Sequence, residues 1–284
     1  RLRFVDIRPD TLNLDERQVA AAVGPRTKAI VPVHYGGVGA AMDAIMALAD
    51  THGLVVVEDA AQALGGTYKG RALGTIGHFG AFSFHVTKNL MCGQGGALVV
   101  NDARAAERAG VLGDEGTDRA RFVRGEVDTY TWHDLGSSYL MSEITAAFLW
   151  AQLEAAALID AGRQAIHSYY LAALAPLAAR GLVELPSAPP ECRHNAHLFP
   201  IVLPDAAACA GLHAHLSRQG IQALRHYVPL HLSPMGARLG YRAGELPVTE
   251  NLSERLLRLP LYVGLASSDQ DRIVAAIAAC VDGR

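Results

Sequence analysis

Leu54-Val55-Val56-Val57-Glu58-Asp59-Ala60-Ala61-Gln62 is an apolar run that ends in two acids and then a glutamine. Four apolar residues without alternation predict a strand covered on both faces. Upstream, Ala41, Ile45, Leu48 and Ala49 recur at helical spacing within Gly39 to His52, and Gly53 stops that helix. Before it, Lys28 to Val33 is a short apolar strand around Pro32. Strand, helix and strand within roughly 30 residues make a βαβ crossover and hence a parallel sheet. Downstream, Gly80 to His85 and Ala97 to Val100 supply further strands. The fold class is therefore α/β: a mostly parallel sheet sandwiched by helices.

Composition narrows the function. Half of the 284 residues are hydrophobic, which excludes a disordered chain, and a formal charge of −3 argues against nucleic-acid binding as the main role. Cys92, Cys192, Cys209 and Cys280 are scattered, which suits a reducing cytoplasm and predicts neither a disulfide framework nor a zinc site. The richest apolar stretch, Ile144 to Ile159, is interrupted by Gln152 and Glu154, so no membrane span is expected. Arg1 to Ile7 reads as an opening strand. Asp114 to Asp134 is polar and reads as a long loop. Ser142 caps a helix expected to reach about Ala161, followed by a second over Arg163 to Ala179. Pro186 to Pro190 is a connector. Beyond it a strand (His197 to Leu203), a helix (Ala206 to Gln219), a strand (Ile221 to Leu224) and helices near Thr249 to Leu257 and Asp269 to Ala279 are expected. This divides the chain into a large domain, residues 1–164, and a small α+β domain, residues 165–284.

Asp59 follows an apolar strand, and in open α/β sheets ligands gather at that end. A carboxylate there can face a cationic ligand nitrogen, and Gln62 can hydrogen-bond beside it; the alternative is an acid that caps the next segment. Lys88 lies in Phe82-Ser83-Phe84-His85-Val86-Thr87-Lys88-Asn89, followed by Gly93-Gln94-Gly95-Gly96. A desolvated lysine becomes a nucleophile, and Ser83 with nearby backbone can hold a phosphate; the alternative is a solvated loop lysine. Twelve histidines invite a metal reading, but His213 and His215 lie two apart on an expected helix and so point to different faces, and His194 and His197 have no acid or cysteine partner at ligand spacing, so no metal site is expected. Arg119, Arg121 and Arg124 could take a pyrophosphate or simply face solvent.

Taken together, D-x-x-Q after a strand, F-S-F-x-x-T-K-N and G-x-G-G-A resemble the sugar aminotransferases of the DegT/DnrJ/EryC1/StrS family. Phe4 to Ile7, His34-Tyr35-Gly36-Gly37, Arg124 to Asp128, Gly136 to Ser142, His194 to His197 and Pro229-Leu230-His231 extend the likeness over nearly the whole chain. Tyr130-Thr131-Trp132 and Leu149 to Ala156 most resemble the branch that makes dTDP-4-amino-4,6-dideoxygalactose. The resemblance implies a pyridoxal 5′-phosphate (PLP) enzyme of fold type I, like aspartate aminotransferase. It implies amino transfer, from L-glutamate, to the C4 keto group of a dTDP-4-keto-6-deoxyhexose. It makes Lys88 the Schiff-base lysine and proton shuttle, pairs Asp59 with the pyridinium nitrogen, puts Gln62 at the ring hydroxyl and Ser83 at the phosphate. Ser138 stands where the family often has a phosphate-binding asparagine from the neighbouring subunit. Arg124, Tyr130 and His231 are the expected contacts to the sugar nucleotide. A homodimer with shared sites is implied, with Phe148 and Trp150 in core or interface. Members carry a further N-terminal stretch before the strand that opens this chain, which leads to the expectation of an N-terminally truncated member. Two alternative readings stand beside catalysis: an inactive remnant that acts only as a structural or dimer partner, and a PLP-dependent sugar dehydratase. The second is disfavoured by the intact Lys88, since related dehydratases have histidine there.

Overall fold

The computed structural model describes residues 1–283. Its central sheet runs, in spatial order, Ala29–Ile30, Val55–Asp59, Phe79–Ser83 and Gly96–Val100. The first three strands are parallel and the fourth is antiparallel to the third. The crossover helix Met42–His52 buries Met42, Ile45 and Ala49 against this sheet. Gly53 ends it in the left-handed conformation that glycine adopts without strain, its N–H donating to Ala49 and Asp50 carbonyls.

A second, antiparallel sheet has the order Pro200–Val202, Leu256–Arg258, Leu224–Arg225. The helices Ala156–Ala179, Ala206–Arg218 and Ser267–Asp282 supply Tyr170, Leu174, Leu212, Leu216 and Ile277 to its core, with Phe199 and Leu257 from the sheet side. Among the described residues two large hydrophobic cores result, one drawn from residues between 19 and 76, the other from residues between 166 and 281, with a small third cluster of Val202, Leu252 and Leu256. The helix Ala156–Ala179 runs across position 164/165 without a break. A short antiparallel sheet, Arg71–Ala72, Thr67–Tyr68, Cys192–Arg193, ties the two parts together.

Four local expectations are corrected. Residues 1 to 6 form no strand; only Ile7 pairs, in a single bridge with Leu14. Their polar groups are committed elsewhere. Phe4 N–H donates to Tyr241 Oη (2.8 Å), and the Asp6 carboxylate, 2% exposed, accepts from Val248 N–H (2.8 Å), Thr249 N–H (2.8 Å) and Thr249 Oγ1 (2.6 Å). Asp6 thus caps the helix Pro247–Arg255, whose own N-cap, Leu246, has no side chain able to do so. The helix after Ser142 is Glu143–Glu154 and not longer; Ala155 breaks it, and the next helix leaves at a 61° bend. No Gly or Pro marks that break. Leu256 and Leu257 belong to a strand, not to the preceding helix, because both side chains are buried and Leu257 pairs with Ile201 and Arg225 on either side. Within the polar stretch 114–134, Arg119–Val123 forms one short helix. Among the described residues no single helix is long and apolar enough to cross a membrane; only the bent pair Glu143–Glu154 and Ala156–Ala179 reaches that length and composition together.

Beneath the sheet lies a buried pair. His34 and Glu58 side chains are both fully buried, with Nε2 2.8 Å from Oε2. His34 Nδ1 accepts from Ala40 N–H (3.1 Å), so the ring proton sits on Nε2 and is donated to the carboxylate. Glu58 also accepts from Gly74 (2.8 Å), Ile76 (2.6 Å) and Gly77 (2.6 Å) N–H. Burial by itself would raise the Glu58 pKa, but His34, Gly77 and Gly74 outweigh it and hold the carboxyl below its usual value. Glu58→Ala removes the acceptor from three buried N–H groups and the imidazole. It should cost about 3–5 kcal/mol in urea unfolding, and a loss under about 1 kcal/mol would contradict this assignment.

Two buried imidazoles set the acid limit. Burial, then the neighbouring His194, pushes His167 down to about 3, and burial, then Arg163, pushes His197 down to about 3. Their unfolded value is near 6.5, so the unfolded chain binds more protons in between. Stability should therefore fall as pH drops below about 6.5. Glu58, whose pKa is depressed, adds its own loss only below its unfolded value of 4.5. Urea midpoints measured from pH 7 to 4 should show this slope, and His167→Asn should flatten it.

Candidate active site

The strand Val55–Asp59 turns its last two side chains to opposite faces. Glu58 goes down into the buried pair, and Asp59 goes up. Backbone bonds lock Asp59 from both sides: its N–H donates to Pro32 O (2.9 Å), its carbonyl accepts from His34 N–H (3.1 Å), and it lies in register with Ala81. Its Oδ1 accepts from Ala61 N–H at 3.1 Å, so part of the acid caps the turn that follows, as one sequence reading expected.

Lys88 lies on the connection between Phe79–Ser83 and Gly96–Val100. Phe84 N–H to Gly95 O, Val86 N–H to Gly93 O and Cys92 N–H to Phe84 O extend the pairing of those strands beyond the sheet. Lys88 is half-buried. Burial pushes its amine below the ordinary value, and the Asp59 charge pushes it back up. No hydrogen bond or ion pair holds the Lys88 amine among the described residues.

The next residue anchors this loop. Asn89 Nδ2 donates to Asn195 O (2.9 Å), and Asn89 Oδ1 lies 2.8 Å from His197 Nδ1. Asn195 Nδ2 in turn donates to the Gln62 and Leu64 carbonyls at 2.8 and 2.9 Å. Gln62 Oε1 accepts from Gly36 N–H at 2.7 Å. Gly37 has to be glycine: its φ is +83°, and a Cβ there would fall 1.8 Å from Asn195 Oδ1. One belt of hydrogen bonds thus joins the turn after Asp59, the lysine loop and the segment before Phe199. Sequence reasoning quoted Asn89, Asn195 and His197 within the motifs of the family resemblance but gave none of them a role in the site, although Asn89 directly follows the lysine.

The other expected residues are more scattered. Ser83 ends its strand half-buried, with Oγ 3.3 Å from His85 N. Ser138 is exposed and bridges to Asp114. Tyr130 is exposed and packs on Phe122, with centroids 5.7 Å apart. Arg124 is exposed and already paired with Glu126 at 2.6 Å; Arg119 faces Asp114 and Arg121 faces Glu107 and Glu126. His231, 2% exposed, is closed off by Glu250 at 2.8 Å. The hydrogen-bond belt joins Gln62 to the loop that carries Lys88 and to the turn after Asp59, and among the described residues it has no bond to Arg124, Tyr130, Ser138 or His231.

The sequence profile of the DegT/DnrJ/EryC1/StrS aminotransferase family matches residues 2–278. The chain is 38% identical over 277 residues to a "Pleiotropic regulatory protein" of Geobacillus stearothermophilus, covering 97% of this chain and 71% of that protein. It is 35% identical over 288 residues to the spore coat polysaccharide biosynthesis protein SpsC of Bacillus subtilis (strain 168), covering 99% and 73%. Its structure superposes on DesV of S. venezuelae with a TM-score of 0.87 at 36% identity, over 98% of this chain and 71% of that one. It superposes on the aminotransferase TlmJ of Streptoalloteichus hindustanus with a TM-score of 0.88 at 30% identity, over 99% and 73%. These likenesses identify the fold as PLP fold type I. The chain belongs to the DegT/DnrJ/EryC1/StrS family of PLP-dependent sugar aminotransferases.

Proposed function

We propose that the chain transfers an amino group from L-glutamate to the C4 keto carbon of a dTDP-4-keto-6-deoxyhexose, for a cell-surface polysaccharide or an amino sugar. The observation that carries the chemistry is a partly desolvated Lys88 amine, without a hydrogen-bond or ion-pair partner among the described residues, on which the charge of Asp59 at the end of a parallel strand acts. The substrate class rests on Tyr130-Thr131-Trp132 and Leu149 to Ala156, which resemble the dTDP-4-amino-4,6-dideoxygalactose branch, and accords with the name of the SpsC relative.

The donor set fits PLP. Asp59 has one carboxylate oxygen left after Ala61, Gln62 has its Nε2 left after Gly36, and Ser83 keeps a hydroxyl hydrogen after accepting from His85. Asp59 would hold a proton on the ring nitrogen, Gln62 would donate to the ring hydroxyl, and Ser83, with Ser138 from a partner subunit, would hold the phosphate. When bound, PLP draws electron density from the carbon that exchanges its amine. Lys88 Nζ, unprotonated more readily because of its burial, takes up the proton released at that carbon and returns it. Such acid–base work contributes about 10²–10⁴-fold.

The exposed apolar side chains of Trp132 (73%), Tyr139, Ile144 (85%), Phe148 and Trp150 support a homodimer, because a monomer rarely leaves such a stretch uncovered. That dimer would bring Arg124, Tyr130 and Ser138 to a site shared between subunits. A cytoplasmic setting agrees with the four unpaired cysteines.

Titration with PLP should produce a saturable visible absorbance band that is missing in Lys88→Ala. Mass spectrometry should then find an aminated sugar nucleotide after incubation with L-glutamate and dTDP-4-keto-6-deoxyglucose, with turnover at least about 10²-fold lower in the variant. A spectrum of free PLP in both proteins, or loss of the sugar oxygen without gain of nitrogen, would overturn the reading.

A further inference from the structure

The Lys88 amine has no bond of its own among the described residues, so the chain around it has to place it. Within the loop, Lys88 N–H donates to His85 O at 2.9 Å. Leu90 is buried, but apolar contact has no direction. The directional tie comes from Asn89. Its Nδ2 donates to Asn195 O (2.9 Å), which leaves Oδ1 as the acceptor toward His197 Nδ1 (2.8 Å). The imidazole proton therefore sits on Nδ1. Burial, then Arg163, Lys88 and Arg258, lowers this imidazole to about 3, so near neutrality the ring is an uncharged donor. It can orient the loop without adding a charge beside the lysine.

The turn that receives Asn89 is built without the lysine loop. His194 O accepts from Gln164 Nε2 (2.7 Å), Ala196 O from Arg163 Nε (3.0 Å) and His197 O from Arg163 Nη2 (2.7 Å). Both donors stand on the helix Ala156–Ala179. Inside the turn, Ala196 N–H donates to His194 Nδ1 and His197 N–H to Asn195 Oδ1, each at 3.1 Å. Ala196 is held at a φ of +49°, a conformation that a residue with a Cβ keeps only where its neighbours over-determine it. Of the four successive carbonyls from His194 to His197, only Asn195 O is answered from outside this helix and turn, and Asn89 answers it. The lysine loop thus docks on a preformed, strained mould that belongs to the second hydrophobic core, while the loop itself springs from the central sheet.

We propose that Asn89 and His197 are positioning residues for Lys88, which clamp the lysine loop onto the turn His194–His197 and so hold the amine in its half-buried place. The inference rests on the transamination reading above and adds to it how the proton-carrying amine is kept in position. Neither residue is assigned a contact with cofactor or substrate.

The test reads the lysine itself. Wild type, Asn89→Ala, His197→Asn and His197→Gln are labelled with trace acetic anhydride across the alkaline range, without PLP, and mass spectrometry of the Lys88 peptide gives the pH midpoint of labelling. Asparagine Nδ2 stands where histidine Nδ1 does and glutamine Nε2 does not, so His197→Asn keeps the clamp and His197→Gln loses it. Asp59 raises the midpoint; His197 and His226 are uncharged over this range, and Arg163 and Arg258 stay charged throughout, so a change reports position. The wild-type midpoint should lie below that of the urea-unfolded chain. In Asn89→Ala and His197→Gln about half of that gap or more should close as the amine regains water, whereas His197→Asn should stay near wild type. If a His197 variant fails to fold by circular dichroism, Asn89→Ala, whose side chain is only half-buried, decides alone. In a separate arm PLP should protect Lys88 of wild type from the label. If it does not, the transamination reading falls while the midpoints still decide the clamp. A wild-type midpoint in Asn89→Ala, even with a lowered melting temperature, or equal midpoints in His197→Asn and His197→Gln, would overturn the clamp.

Discussion

Glu58 is taken wholly out of water one residue before Asp59, and the sheet end is arranged around satisfying it. A bare carboxylate in such a place would cost several kcal/mol or take up a proton. Here three backbone N–H groups and one imidazole surround it. Those four donors come from two separate segments, the turn over residues 74–77 and the end of the first parallel strand's extension. Neither segment can shift without stranding a buried charge. Close approach follows from the same constraint: a Cβ on Gly80 would lie 1.9 Å from the Gly74 carbonyl, so strand and turn pack backbone to backbone. With Glu58 pinned on one face, strand alternation leaves Asp59 no choice but the other. The rigidity of the acid in the site is thus inherited from a residue that never touches it.

The lysine side of the site is held differently. Its loop extends past the sheet, where no third strand supports it, and it relies on side-chain amides. Asn89 and Asn195 bridge carbonyls that would otherwise end at loop edges. The charges of Lys88, Arg163 and Arg258 all bear on the buried His197, with Asp59 answering Lys88 and Asp160 answering Arg163. Desolvation favours the unprotonated form of the Lys88 amine, and the Asp59 charge opposes it.

What the sequence made legible was local. The helix stop at Gly53, the cap at Ser142, the apolar strand before Asp59 and the lysine motif all reside in a few consecutive residues, and the structure has each element where spacing put it. Missed features depend on partners far away. Asn89 meets a residue 108 positions on, and nothing near it in sequence signals that. The helix expected to run to Leu257 ends at Arg255, because an apolar run of that length suits a helix end or a strand and only the two flanking strands decide. The break at Ala155 falls among strong helix formers, so tertiary packing, not propensity, sets it.

The cap that Asp6 provides for the helix Pro247–Arg255 spans 242 residues between donor and acceptor. During synthesis the acid emerges long before the N–H groups it serves. At about 5–20 residues per second the ribosome needs on the order of 12–48 s to deliver them. Throughout that interval Asp6 is a solvated carboxylate and the chain near Phe4 has no docking surface. Phe4 and Asp6 therefore reach these native contacts only after the segment around residues 241–249 has been made, so this part of the fold cannot close in the order in which the chain is made.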